Sequence, residues 1–285
     1  MTRIVLAVLA LLALAATSRA DGVFDGGGKP IEMPPMKFSP TTKIKTSPTK
    51  QDGKDLYYFT PAEAKEAAKR FKFRVKSGGG WTFDADVPQD IQDQMRADLA
   101  FMAGVEGSGV SPLHQQIFGN VDGAVYKQWF DSRVSAIGLN DCGSPIAAAC
   151  VIPFEDPSKM WLTPNFVKFD HPQISRIMVV YHEARHTETQ NGNWPHANCP
   201  DPFKDAKGND IRGKWSGALL AGEPACDTTP LGSYGSSVIL LKNIEKHCAN
   251  CTDKVKMDAG IYADDQVQRM IDPDARRQMD EDFQK

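Results

Sequence analysis

The chain has 285 residues, 41% of them hydrophobic and 24% charged, so it can bury a substantial core and wholesale disorder is excluded. Its 33 Lys and Arg stand against 36 Asp and Glu for a net charge of −3, which excludes the basic excess of a nucleic-acid-binding surface and the acidic excess of a solvating tail. Partners must therefore be argued from a site, and nucleic acid is not among those expected.

Met1-Thr2-Arg3 is a short basic start, the run from Ile4 to Ala16 is apolar, and Ser18-Arg19-Ala20 ends on a small residue before Asp21. This order predicts a cleavable signal peptide over 1–20 and hence a secreted or periplasmic protein. The run is too short to span a hydrocarbon core of about 30 Å, and no later stretch approaches ~18 apolar residues, so no stable membrane insertion is expected. Residues 21–55, rich in Gly, Pro, Lys, Thr and Ser, read as a flexible linker or as a pro-segment lying over a site.

A single catalytic domain with N-terminal helices is expected over 56–272. Thr60-Pro61-Ala62-Glu63 forms a capping box for a helix ending near Phe71, and Ser77-Gly78-Gly79-Gly80 then breaks the chain. A helix from about Pro88 carries Ile91, Met95, Leu99 and Met102 on one face, and further helices are expected over 112–118 and 124–134. Two strands are expected, over 148–152 and over 160–169, the second interrupted by Pro164. A helix follows directly over 174–186, with Asp170 as cap and Pro172 in its first turn. Residues 192–230 are loop-rich, and a helix over 233–248 places Val238, Leu241 and Ile244 at three-residue spacing. Residues 273–285 are expected to be a polar C-terminal tail that frays. The mixture predicts an α+β fold, helix-rich with a small sheet.

Inside the helix over 174–186 stands His182-Glu183-Ala184-Arg185-His186, an HExxH. Histidines at i and i+4 share one helix face, so both imidazoles can reach one tetrahedral Zn²⁺ at about 2.0–2.1 Å, with Glu183 beside the metal's water. With six histidines in the chain, such a match arises by chance at about 0.004 per chain. The motif and its helix resemble the zincin metallopeptidases, over about twenty residues around His182 and extending toward Gly235. That resemblance implies zinc below a substrate-binding strand, and an active-site helix placed after an edge strand.

A catalytic zinc usually has three protein ligands and an open position, so a third ligand is needed from downstream. Gly192 can end the helix in a left-handed turn that brings His196 back, which resembles the metzincin arrangement although His196 lies ten residues after His186 where that family has six. Asp227, ahead of Tyr234-Gly235, resembles the aspzincin pattern with a longer gap. Glu223 would give a gluzincin-like site, but Pro224 beside it argues against the helix that family uses. His196 and Asp227 can also act together, one as ligand and the other orienting an imidazole N–H. Plain structural roles stand beside these: a loop-surface His196, a turn or cap Asp227, a packed aromatic at Tyr234.

The chemistry implied is hydrolysis of a peptide or protein substrate. Zinc lowers the pKa of its water from 15.7 toward about 7 and polarises the carbonyl. Glu183 acts as general base, Tyr234 supplies the oxyanion donor, and Arg185 is assigned a structural ion pair. His114, His171 and His247 have no partner at ligand spacing. The alternative reading is a non-catalytic exported metal-binding or cell-surface protein. In an oxidising compartment the six cysteines are expected to pair as Cys142 with Cys150, Cys199 with Cys226 and Cys248 with Cys251, one of 15 possible sets. The Cys248-x-x-Cys251 motif lacks the βαβ context of a thiol-disulfide oxidoreductase.

Overall fold

The computed structural model describes residues 74–76, 80–144, 146–168, 171–214 and 217–285. The expected signal peptide, the 21–55 segment, the 60–71 helix, the break at 77–79 and the Asp170 cap lie outside the described residues. Five short strands form one sheet: β1 (Arg74–Lys76), β2 (Thr82–Asp84), β3 (Ala136–Leu139), β4 (Ala149–Val151) and β5 (Lys159–Leu162), in the order β1-β2-β3-β5-β4. β3 runs parallel to β2 and β5, while β1 and β4 are antiparallel at the two edges. Every residue of β3 and β5 is buried, Ala136 opposite Lys159 and Leu139 opposite Leu162, so both faces of the sheet centre are covered.

The described helices are α1 (Gln89–Ala103), α2 (Pro112–Ile117), α3 (Gly123–Asp131), α4 (Pro164–Lys168), α5 (Gln173–His186), α6 (Ser233–His247), α7 (Asp253–Val267) and α8 (Pro273–Phe283). The architecture is α+β. None of these helices is long and apolar enough to cross a membrane.

α5 is the centre of the molecule. Its residues from Ile174 to Arg185 are all buried, and a helix buried all round is a core element. Tyr181 sits in an aromatic cluster, stacked on Trp129 with centroids 5.5 Å apart and flanked by Phe118, Tyr126 and Phe130. Arg176 anchors the first half of α5 to α1 through two 2.7 Å bonds to the buried Asp98 carboxylate. The sequence places no Gly or Pro between Ile174 and His186, so nothing interrupts the helix before the histidines are presented.

Three expectations need correction. The segment over 160–169 is a strand only to Leu162. Thr163 then caps α4, accepting from Asn165 N at 3.2 Å, and Pro164 takes the first helical position, where its missing N–H costs nothing. Consequently β5 is interior and α4 separates it from α5, so the active-site helix does not directly follow a strand; the edge strand beside α5 is β4. The N-cap residue of α5 is Pro172, with no side-chain cap.

The polar C-terminal segment is no fraying tail. Asp272 caps α8 by accepting from Ala275 N at 2.8 Å, Ala275 and Met279 are buried, and the buried Asp282 accepts from Leu113 N at 2.8 Å. The apolar spacing Ala275, Met279, Phe283 was present in the sequence but diluted by charge. If α8 is part of the core, Met279→Ala should cost about 2–4 kcal/mol in urea unfolding; a change within about 0.5 kcal/mol would restore the tail reading.

Candidate metal centre

α5 presents His182 and His186 one turn apart, as the i, i+4 spacing dictates. The chain then reverses. After a short 3-10 turn, Thr189–Asn191, three successive residues take left-handed conformations: Gly192 (φ 64°), Asn193 (φ 63°) and Trp194 (φ 47°). Glycine accepts this freely, whereas for asparagine and above all tryptophan it is strained and must be held from outside. Asn193 is held by its side-chain amide, which donates to the His186 carbonyl at 2.7 Å. Trp194 is held by its indole N–H, 2.8 Å from Glu188 Oε2, and by the Arg185 guanidinium 4.5 Å from its ring.

Glu188 is the anchor of this turn. Its buried carboxylate also accepts from Arg185 at 2.7 and 2.8 Å, from Asn191 at 2.7 Å and from Arg133 at 2.8 Å. Burial alone would raise its pKa, but the Trp194, Arg185, Asn191 and Arg133 donors together hold it below the usual value. Arg185 is thus in a structural ion pair, with Glu188 and not with Glu183, and it further donates to the Leu231 carbonyl.

The reversal delivers His196 to the other two histidines. The three Nε2 atoms form a nearly equilateral triangle: 3.3 Å between His182 and His186, 3.2 Å between His182 and His196, and 3.1 Å between His186 and His196. Four ligands at 2.0–2.1 Å around a tetrahedral ion stand about 3.3 Å apart.

The other ring nitrogens decide the tautomers. His186 Nδ1 donates to the Asn193 carbonyl at 2.8 Å, and His196 Nδ1 donates to Asp227 Oδ1 at 2.8 Å. Ser237 gives its own hydroxyl hydrogen to the Ser233 carbonyl at 2.8 Å, so toward His182 Nδ1, 3.5 Å away, it can only accept. All three imidazoles therefore carry hydrogen on Nδ1, and three Nε2 lone pairs converge with no hydrogen between them. Burial keeps His182 and His186 neutral: it takes His182 well below the ordinary histidine value and His186 down to about 4, with the neighbouring histidines acting in the same direction. Three oriented, converging imidazoles can hold a metal ion.

Asp227 lies outside this donor triangle and orients it. While Oδ1 holds His196, Oδ2 accepts from Tyr234 N at 2.8 Å and Gly235 N at 3.2 Å, in the first turn of α6. Gly232 is required by the same approach, since a Cβ there would stand 2.3 Å from Oδ2. The Asp227 backbone is locked as well, with its N–H to the Arg269 carbonyl and its carbonyl to Ile271 N, both at 2.9 Å. The neighbouring Cys226 pairs in both directions with Ala197, and the Cys199–Cys226 disulfide closes the pair. The other two disulfides join Cys142 to Cys150 and Cys248 to Cys251, as expected.

Glu183, His182, His186, His196 and Tyr234 all line one cleft of about 490 Å³, with Ala149, Cys150 and Val151 of β4 in its wall. Glu183 is buried, its Oε2 has no hydrogen-bond partner, and burial pushes its pKa up to about 8. The Tyr234 ring packs against His182 and His196 at 4.4 and 4.5 Å, and its hydroxyl accepts from Arg269 at 2.7 Å. Glu223 is exposed at the cleft lining and, among the described residues, belongs to no group that could hold a metal ion. His114 is bonded to Gly119 O and Tyr126 Oη, and His171 to Tyr262 Oη, so both serve the fold.

Sequence reasoning missed Glu188 and Arg269, which carry no motif, and the serine pair of α6. Ser233 and Ser237 sit at i, i+4 opposite His186 and His182 at i, i+4, a small-residue match between two packed helices. Comparison of the chain with protein-family models, curated proteins and solved structures finds no match. Asp227→Ala should lower the affinity for Zn²⁺ about 10- to 100-fold by competition with a chromophoric chelator. Unchanged affinity would mean that His196 needs no orienting partner.

Proposed function

We propose that the protein is an exported zinc-dependent peptidase of zincin type, in which His182, His186 and His196 hold the metal. The observation that carries this reading is the convergence of three Nε2 lone pairs in the cleft that also receives a buried, unpartnered Glu183 carboxyl oxygen. A divalent cation held by His182, His186 and His196 would supply Lewis-acid polarisation of a carbonyl and acidify water.

The remaining chemistry belongs to the chain. In its ionised form Glu183 takes a proton from water and delivers it to the leaving amine, and its unpartnered Oε2 leaves it free to do so. Tyr234 accepts from Arg269, so the phenol's own hydrogen is available to the oxyanion that develops on the carbonyl. β4, at the sheet edge and along the cleft wall, offers backbone groups with which an extended peptide can pair. Three disulfides and the lack of a membrane-crossing helix among the described residues fit an extracellular or non-membrane setting.

Incubation of the zinc-loaded protein with a mixed peptide library should give cleavage products. Glu183→Gln should retain one equivalent of zinc and lose about 10²- to 10⁴-fold in rate. His182→Ala should lose the metal. Full hydrolysis by the Glu183→Gln protein, or stoichiometric zinc in His182→Ala, would sink the assignment.

A further inference from the structure

Arg269 is a cation in the cleft that the reading above does not use up. It follows α7, its side chain lines the same cavity as the three histidines, and it is half-buried. A guanidinium has five N–H donors and stays charged, so a half-buried one ordinarily meets a carboxylate. Here one donor reaches the Tyr234 hydroxyl at 2.7 Å, and among the described residues the group forms no ion pair. Asp265, the buried acid nearby on α7, feels the Arg269 charge, which favours its ionised form, but makes no ion pair with it and accepts from the Gln266 amide at 2.8 Å. The fork therefore has donors to spare and faces a cleft, which is the condition for gripping an anion on a ligand.

Its position relative to the metal site is fixed twice over. The Arg269 carbonyl accepts from Asp227 N at 2.9 Å, tying its backbone to the residue that orients His196. Its guanidinium lies 4.5 Å from the Tyr234 ring centroid, and that ring lies 4.5 Å from the His196 ring, so Arg269 stands at most about 9 Å from the His196 ring. One extended residue covers about 3.3–3.6 Å, so an anion held by Arg269 lies within one to three residues of a carbonyl placed over the histidines.

We propose that Arg269 is a specificity-determining residue that binds a substrate carboxylate close to the cleaved bond. The carboxylate comes from the free C-terminus of a peptide or from an acidic side chain; both present the same two oxygens to the fork. This inference rests on the peptidase reading for the word substrate, but carboxylate capture itself does not require turnover. Met178, Val179 and Leu220 also line the cleft, so Arg269 stands in a site that has apolar surface as well, with the exposed Glu223 at its lining. Such a combination favours ligands with one anionic group beside an apolar body.

The test is equilibrium binding to the zinc-loaded protein, measured by calorimetry, with three probes. N-benzoylglycine carries a free α-carboxylate, N-benzoylglycinamide carries none, and N-benzoylaspartic α-amide carries only a side-chain carboxylate. At least one acid should bind about tenfold tighter than the neutral amide, and whichever acid does so identifies the source. Arg269→Gln should abolish that preference while zinc stoichiometry stays unchanged, and Arg269→Lys, which keeps the charge without the fork, should keep only part of it. Equal binding of all three probes overturns the proposal. So does a preference that persists in Arg269→Gln, because the metal alone would then be reading the carboxylate. Failure of peptide cleavage with the acid preference intact overturns the peptidase reading and leaves the carboxylate site standing.

Discussion

His196 reaches the other two histidines from a loop, and a loop holds a ligand only as firmly as the groups that hold the loop. The hydrogen bond from His196 Nδ1 to Asp227 supplies that firmness, because the same carboxylate also caps the first turn of α6. One side chain thus joins the segment after α5 to the start of α6, whose serines face His182 and His186 from the other side. Displacement of Asp227 would loosen one ligand directly and the backing of the other two indirectly. The same economy appears at Glu188, whose four donor residues come from α5, from the strained turn and from Arg133 after α3.

The pair His182 and His186 was legible because helical periodicity alone places i and i+4 together, and the same holds for Glu183 between them. His196 was legible as a residue type at a plausible distance, with Gly192 marking the turn. Its partnership with Asp227 was open, because no local rule says whether a carboxylate thirty-one residues on will bind a metal or an imidazole. Arg269 lay beyond reach for the same reason: what places it is a backbone bond to Asp227, a long-range pairing that leaves no periodic trace. The strands β2 and β3 have three and four residues, too few for alternation to show, and the sheet was accordingly underestimated. α7 was missed because its buried face carries Asp258, Gly260, Asp265 and Gln266 among Ala259, Tyr262 and Ala263, which reads as polar sequence.

The centre is also a thermodynamic element of the fold. Three lone pairs fixed at 3.1–3.3 Å from one another repel, so the arrangement costs free energy that a bound cation would offset. The cost is carried by the surrounding scaffold: the buried α5, the Arg176–Asp98 pair and the Glu188 anchor. A ligand that binds only the folded arrangement returns that cost as stability in proportion to the logarithm of its concentration over its dissociation constant. An ion held by the three histidines would therefore couple its availability to folding.

The Cys199–Cys226 bond lies between His196 and Asp227 along both strands of their pairing, and it has a developmental meaning. His182 and His186 are assembled by their helix as soon as it forms. The third donor and its orienting acid are separated by a long irregular segment, and covalent closure of 27 residues removes about 3–4 kcal/mol of chain entropy from the unfolded state. A reduced polypeptide must recruit His196 against that freedom, whereas an oxidised one has it nearly prepaid. Oxidation of these two thiols would therefore favour the meeting of His196 and Asp227 before the rest of the segment has found its contacts.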